Sequence, residues 1–158
     1  MKREQFIALI SEEQESLRRF LLALCEGDRM EAEDIAQEAM VKAYIAMERF
    51  VERAKFSTWL FKIAYNTFLD HQRSLRSHAS IEEADTLVSD TATDAGFEYQ
   101  ELYTALSTLP PKERTAILLF YLKGYNVHEI ADIVHSTEAA VRQQLSRGRE
   151  QLKNKMKQ

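Results

Sequence analysis

The chain has 158 residues, 45% of them hydrophobic, with only 4 glycines and 2 prolines; this excludes a disordered chain and favours long helices with few sharp turns. It contains no apolar run near the roughly 20 residues of a membrane span, and the N-terminal MKREQFIALISEEQE turns acidic too soon for a secretory signal, so a cytoplasmic protein without membrane insertion is expected. The net charge of −4 is unevenly spread: residues 1–80 carry −1, residues 81–101 carry −7 and residues 102–158 carry +4, which leaves a basic C-terminal third behind an acidic middle.

In chain order, Phe6, Leu9, Ile10, Leu17, Phe20, Leu21 and Leu24 recur at helical spacing and predict a helix over residues 3–25. Cys25 lies in its apolar end, FLLALC, where a buried small hydrophobe is expected. CEGDRM breaks the pattern. A second helix is predicted over residues 31–50, with Ile35, Ala36, Ala39, Met40, Ala43, Ala46 and Met47 as its stripe. Its other side sets Asp34, Gln37 and Glu38 beside Val41, Tyr44 and Ile45. Two arrangements satisfy that mixture: a docking surface for a basic partner, or a second buried stripe.

The third helix lies in KFSTWLFKIAYNTFLDHQR (residues 55–73), with Ser57 as expected N-cap and Phe56 and Phe61 as a hydrophobic staple. At about 100° per residue, Leu60, Ile63, Ala64, Thr67 and Phe68 form the core stripe. The opposite face carries Lys62, Tyr65, Leu69, Gln72 and Arg73, with Phe61 and Asn66 at its margins. If exposed, aromatics between cations suit single-stranded nucleic acid; if not, the face packs on another element.

Residues 77–96 are rich in Ser, Thr, Ala and Asp without a sustained period, and are expected to be a flexible acidic linker. The second lobe starts near Phe97. A helix ends before Leu109-Pro110-Pro111, another covers residues 111–123, and Gly124 stops it. Asn126 and Glu129 form a capping box, His135-Ser136 a turn, and Thr137 a cap for the last helix. Val141, Leu145 and Leu152 point inward there. Ala139, Gln143, Ser146 and Arg147 point outward, flanked by Arg142 and Gln144, and six cations follow from residue 142 against one acid. Caps, turn and charge together predict a DNA-binding helix-turn-helix.

Taken in order, AEDIAQEAMVKAY (residues 32–44), residues 55–73 and the segment from Leu109 to Leu152 resemble the extracytoplasmic-function (ECF) sigma factors of the sigma-70 family. The resemblance covers nearly the whole chain. It implies an all-α protein of two small helical domains, a region 2 bundle (residues 1–76) and a region 4 helix-turn-helix domain (residues 97–158), joined by the linker (residues 77–96). Asp34, Gln37 and Glu38, with Val41, Tyr44 and Ile45, would meet core RNA polymerase. Lys55, Trp59, Lys62, Tyr65, Asn66 and Arg73, with the loop of residues 51–55, would lie along the melted minus-ten strand. Thr137, Arg142, Gln143, Gln144, Ser146 and Arg147 would face the minus-thirty-five duplex. Bacterial core RNA polymerase, promoter DNA in duplex and single-stranded form, and an anti-sigma factor are the implied partners.

The chain departs from the family pattern in four places. Tyr65 stands where a basic residue is frequent, His135 where a turn glycine is common, Gln144 where Arg is frequent, and Gly148 lies inside the recognition helix. The four histidines (His71, His78, His128, His135) and one cysteine show no metal-ligand spacing, and no Gly-rich phosphate loop is present. No catalytic residue, metal or cofactor is therefore expected. A dimeric helix-turn-helix repressor and a protein-binding helical adaptor are the competing classes; the Asp34–Gln37–Glu38 surface together with the aromatic helix favours the sigma reading.

Overall fold

The computed structural model describes residues 1–51, 54–79 and 100–156, which contain helices and no strand. Helix α1 spans Arg3–Leu24, α2 Arg29–Ala46 with a 3₁₀ turn at Met47–Arg49, and α3 Phe56–Ala79. After the acidic segment come α4 (Gln100–Ser107), α5 (Pro111–Tyr121), α6 (Val127–Val134) and α7 (Glu138–Met156). Residues 80–96 of the expected linker lie outside the described residues, and 77–79 continue α3.

Local chemistry sets the helix ends. Between α1 and α2, Glu26 and Gly27 both take positive φ, and the Gly27 amide donates back to the Leu22 carbonyl at 2.9 Å, a six-residue closing bond at a helix C-terminus. Asp28 then caps α2 by accepting from the Glu31 amide. Pro111 opens α5, where its missing N–H costs nothing. The predicted Asn126–Glu129 capping box is present in both directions. His135 adopts the left-handed conformation at φ 56°, and the Thr137 hydroxyl accepts from the Ala140 amide at 3.1 Å.

The first lobe packs α1, α2 and α3. Ala32, Ala36, Ala39 and Ala43 are buried along α2, and their small side chains let α2 lie close to both neighbours. Leu60, Ala64, Thr67 and Phe68 are buried on α3 as the stripe predicts. In the second lobe, Leu119, Ile130, Ile133, Val141 and Leu145 close the core under the helix-turn-helix.

At Gly148 helix α7 crosses close to α5. A Cβ there would stand 2.7 Å from Ile117 Cγ1, so α7 needs glycine at this point to cross α5. The cost in helix propensity, about 1 kcal/mol, is offset by this packing.

Two expectations need correction. Ser57 is inside α3, not its cap, and its hydroxyl bonds the Tyr125 hydroxyl of the other lobe. Phe56 and Phe61 do not staple to each other: Phe56 packs edge-on against Phe6 and Phe50, while Phe61 packs against Phe20 and Tyr125. The buried residues of the two lobes form one continuous cluster.

Polar contacts tie the same seam. The buried Arg114 guanidinium donates to the carbonyls of Leu106, Ser107 and Leu109 at the end of α4 and to that of Leu24 at the end of α1, and pairs with Glu26. Orphan carbonyls at helix C-termini carry partial negative charge, so one cation satisfies two helix ends at once. Lys123 pairs with Glu13 at 2.7 Å and lies over the rings of Phe61 and Tyr125.

Candidate nucleic-acid interface

The residues assigned to core polymerase share one outward strip of α2. Asp34, Gln37 and Glu38 are exposed, and so are Val41, Tyr44 and Ile45 at 58%, 44% and 74%. The alternative of a second buried stripe is thereby excluded. Glu38 is oriented by Lys42 at 3.1 Å and lies 3.4 Å from His71. The bond from Lys42 holds its carboxyl below the usual range, with His71 adding to the effect and partial burial opposing it. The strip therefore presents a fixed negative charge next to three apolar side chains.

Of the two arrangements that the sequence leaves open for the outer face of α3, the structure shows the packed one. Tyr65 is buried at 7% exposure and stacks beside Phe68, with ring centroids 6.4 Å apart. Burial raises its phenol pKa, against a hydrogen bond with Thr115. Helix α6 and the start of the helix-turn-helix lie over this face. Lys62 Nζ donates to Asp132 Oδ1 at 3.2 Å, Lys55 Nζ donates to Glu129 Oε2 at 2.7 Å, and Asn66 Oδ1 lies 3.2 Å from His135 Nε2. Trp59 is half-buried between Phe50 and Phe56. Arg73 is exposed at the far end of α3 and pairs with Asp70 at 3.5 Å. Residues 52 and 53 of the loop before α3 lie outside the described residues.

Both cations assigned to DNA phosphates near the start of α3 are thus paired with carboxylates of α6. The charged side chains within the eight residues of α6 are Glu129 and Asp132, one turn apart, apart from any charge on His128. That acidic pair inside a basic domain was a signal in the sequence that periodicity alone did not use. Glu129 also closes the capping box. Burial opposes its ionisation, yet the bonds from Lys55 and the Asn126 amide and the charges of Lys55 and His128 outweigh this and lower its pKa.

The minus-thirty-five group remains open. Thr137, which caps α7, and Arg142, Gln143, Ser146 and Arg147 on it are exposed, and Arg142 pairs with Glu138 one turn back. Gln144 is half-buried and borders a small cavity shared with Tyr65, Lys112 and His135. A helix with exposed Arg and Gln and a capped N-terminus, held on a preceding helix by a tight turn, is the geometry of a duplex-reading module. Among the described residues no cluster of His, Cys, Asp or Glu could hold a metal ion. No helix among them is long and apolar enough to cross a membrane. Cys25 is buried, and its thiol pKa is raised by that burial and by nearby carboxylates.

The fold is that of a two-lobed helical protein whose second lobe carries a helix-turn-helix. Sigma-70 region 2 matches residues 9–78, and Sigma-70 region 4 matches residues 99–152. The ECF RNA polymerase sigma factor SigM of Bacillus subtilis (strain 168) is 34% identical over 142 residues, covering 85% of each chain. SigW of the same organism is 33% identical over 147 residues, covering 83% of this chain and 78% of the relative. Among solved structures, the sigma factor RpoE in complex with the anti-sigma factor NepR from Bartonella quintana aligns with a TM-score of 0.84 at 23% identity, over 98% of each chain. CnrH in complex with the cytosolic domain of CnrY aligns at 0.74 and 20% identity, over 99% of this chain and 90% of the other; at these identities both show the fold alone. The chain belongs to the ECF sigma factors of the sigma-70 family, proteins of transcription initiation.

Proposed function

We propose that the chain binds core RNA polymerase through the α2 strip, directs it to promoters through α7, and helps melt the minus-ten element with α3. Residues 1–76 act as the region 2 domain and residues 97–158 as the region 4 domain. In this reading the protein is not an enzyme; it works with the polymerase, in the cytoplasm. Unpaired bases would stack on aromatics while the cations of α3 hold the strand, offsetting an unstacking cost of a few kcal/mol.

The observation that carries the reading is the pairing of Lys55 and Lys62 with α6 and of Asn66 with His135 in the turn that follows it. Glu129 and Asp132 occupy the cations that phosphates would take, so α6 and the minus-ten strand compete for one face. The free chain is then closed, and separation of the lobes must accompany promoter opening. An anti-sigma factor would act by favouring closure.

Gel filtration with and without bacterial core RNA polymerase, in the presence of a fluorescent promoter-like duplex, tests this. The chain co-elutes with core, and the duplex is opened only in the joint complex. No association with core, together with tight duplex binding by a dimer, would leave a repressor instead.

A further inference from the structure

We propose that the apolar cleft between α1, α4, α5 and α7 binds an amphiphilic anion with a single apolar chain, of the class of long-chain carboxylates. The cleft has a volume of about 570 Å³, within the roughly 300–1,000 Å³ of small-molecule sites. Leu102, Tyr103, Tyr121 and Leu122 line it and remain exposed, and Met156 is exposed at its edge. A soluble fold does not gather so many open apolar side chains in one concavity without a use for them.

The charge at the cleft has one sign. Arg19, Arg149 and Lys153 line it, and among the described residues no acid does. Arg149 is fixed in the wall: it lies over the Phe120 and Tyr121 rings and donates to the Tyr121 hydroxyl at 2.6 Å. Arg19 pairs outward with Glu15. Lys153 has no ion-pair partner among the described residues. Apolar walls with cations at their margin select an occupant with an apolar body and an anionic head. A small polar anion would leave the walls wet, and a neutral hydrocarbon would leave the cations unused.

Arg19 and Ala23 come from the first lobe and the other walls from the second. The complete cleft exists only when the lobes are together, so an occupant stabilises the closed arrangement by mass action. Its effect on transcription rests on the function proposed above; its binding does not.

Calorimetric titration of sodium dodecanoate into the full chain, below its micellar concentration and without polymerase or DNA, tests the site. Saturable one-to-one binding is expected, with dodecyltrimethylammonium about tenfold weaker or worse. Leu122→Glu, at an exposed position of the wall, lowers dodecanoate affinity about tenfold, and Lys153→Glu about fivefold; circular dichroism confirms that both variants stay folded. Absence of saturable binding, equal affinity for the cationic amphiphile, or unchanged affinity in both variants overturns the proposal. So does binding of an acidic amphipathic peptide to a chain that ignores dodecanoate.

Discussion

Gly148 shows how one residue can be misread from sequence and resolved by packing. In the sequence it is a weak point in a recognition helix. In the fold it is the only side chain small enough where α7 crosses α5 beside Ile117. Gly148→Ala would gain about 1 kcal/mol of helix propensity but force a shift of the buried Ile117, at about 1–3 kcal/mol. The expected outcome is net destabilisation of about 1 kcal/mol, measured by urea unfolding; a more stable variant would show that α5 and α7 can separate freely. His135 was legible as the turn, and the departure from glycine is accommodated by a left-handed backbone. Its reach to Asn66 was not legible, because that contact spans the two lobes.

Helix α6 joins two roles that the sequence shows only separately. The capping box could be read from Asn126 and Glu129, since it depends on residues three apart. The docking of Glu129 and Asp132 on α3 could not, since no local period encodes a partner more than 65 residues away. For the same reason the burial of Tyr65 was not legible: its spacing places it off the core stripe of its own lobe, and Thr115 of the second lobe packs against it. Asp132→Lys should repel Lys62 and shift the lobes toward separation by about two- to fivefold, the scale of one partly exposed ion pair. Adding Lys62→Glu should restore closure. Interlobe fluorescence transfer reads both, and a double variant as open as the single one would remove the pair from the latch. Glu129 adds a pH dependence. Its carboxyl is held below the ordinary 4.5, so its contribution is complete above that pH and lost as pH falls through the lower folded value. Glu129→Gln should flatten that acid limb of the unfolding curve; an unchanged limb would assign it to other carboxylates.

At the scale of the molecule, both lobes, the order of helices, and the outward strips of α2 and α7 were legible, because each follows from periodicity, caps and charge within one element. The seam was not. Arg114 reads as an ordinary cation after two prolines, yet it bridges the carbonyl ends of α1 and α4. Lys123 and Tyr125 read as the tail of a helix and a loop, yet they pack on Glu13, Phe61 and Ser57. These contacts close the two lobes on each other, so that the outer face of α7 stays exposed while the face of α3 that carries Lys62 and Tyr65 is covered. The exposed latch pairs are sensitive to ionic strength, while the buried contacts at Phe61 and Arg114 are not. Raising salt from low to physiological levels should therefore loosen α6 on α3 without unfolding either lobe, as hydrogen exchange of α6 amides would report; uniform protection at both salts would mean that the buried seam alone holds the lobes.

The most direct measurement is the distance between spin labels on Ser74→Cys and Glu150→Cys, at exposed positions on α3 and α7, with the buried Cys25 left unlabelled. It would be taken on the free chain and on the chain bound to core RNA polymerase together with promoter DNA. A single short distance when free, replaced by a longer one in that complex, is the predicted result. The same distance in both states would contradict competition between α6 and promoter DNA for the face of α3.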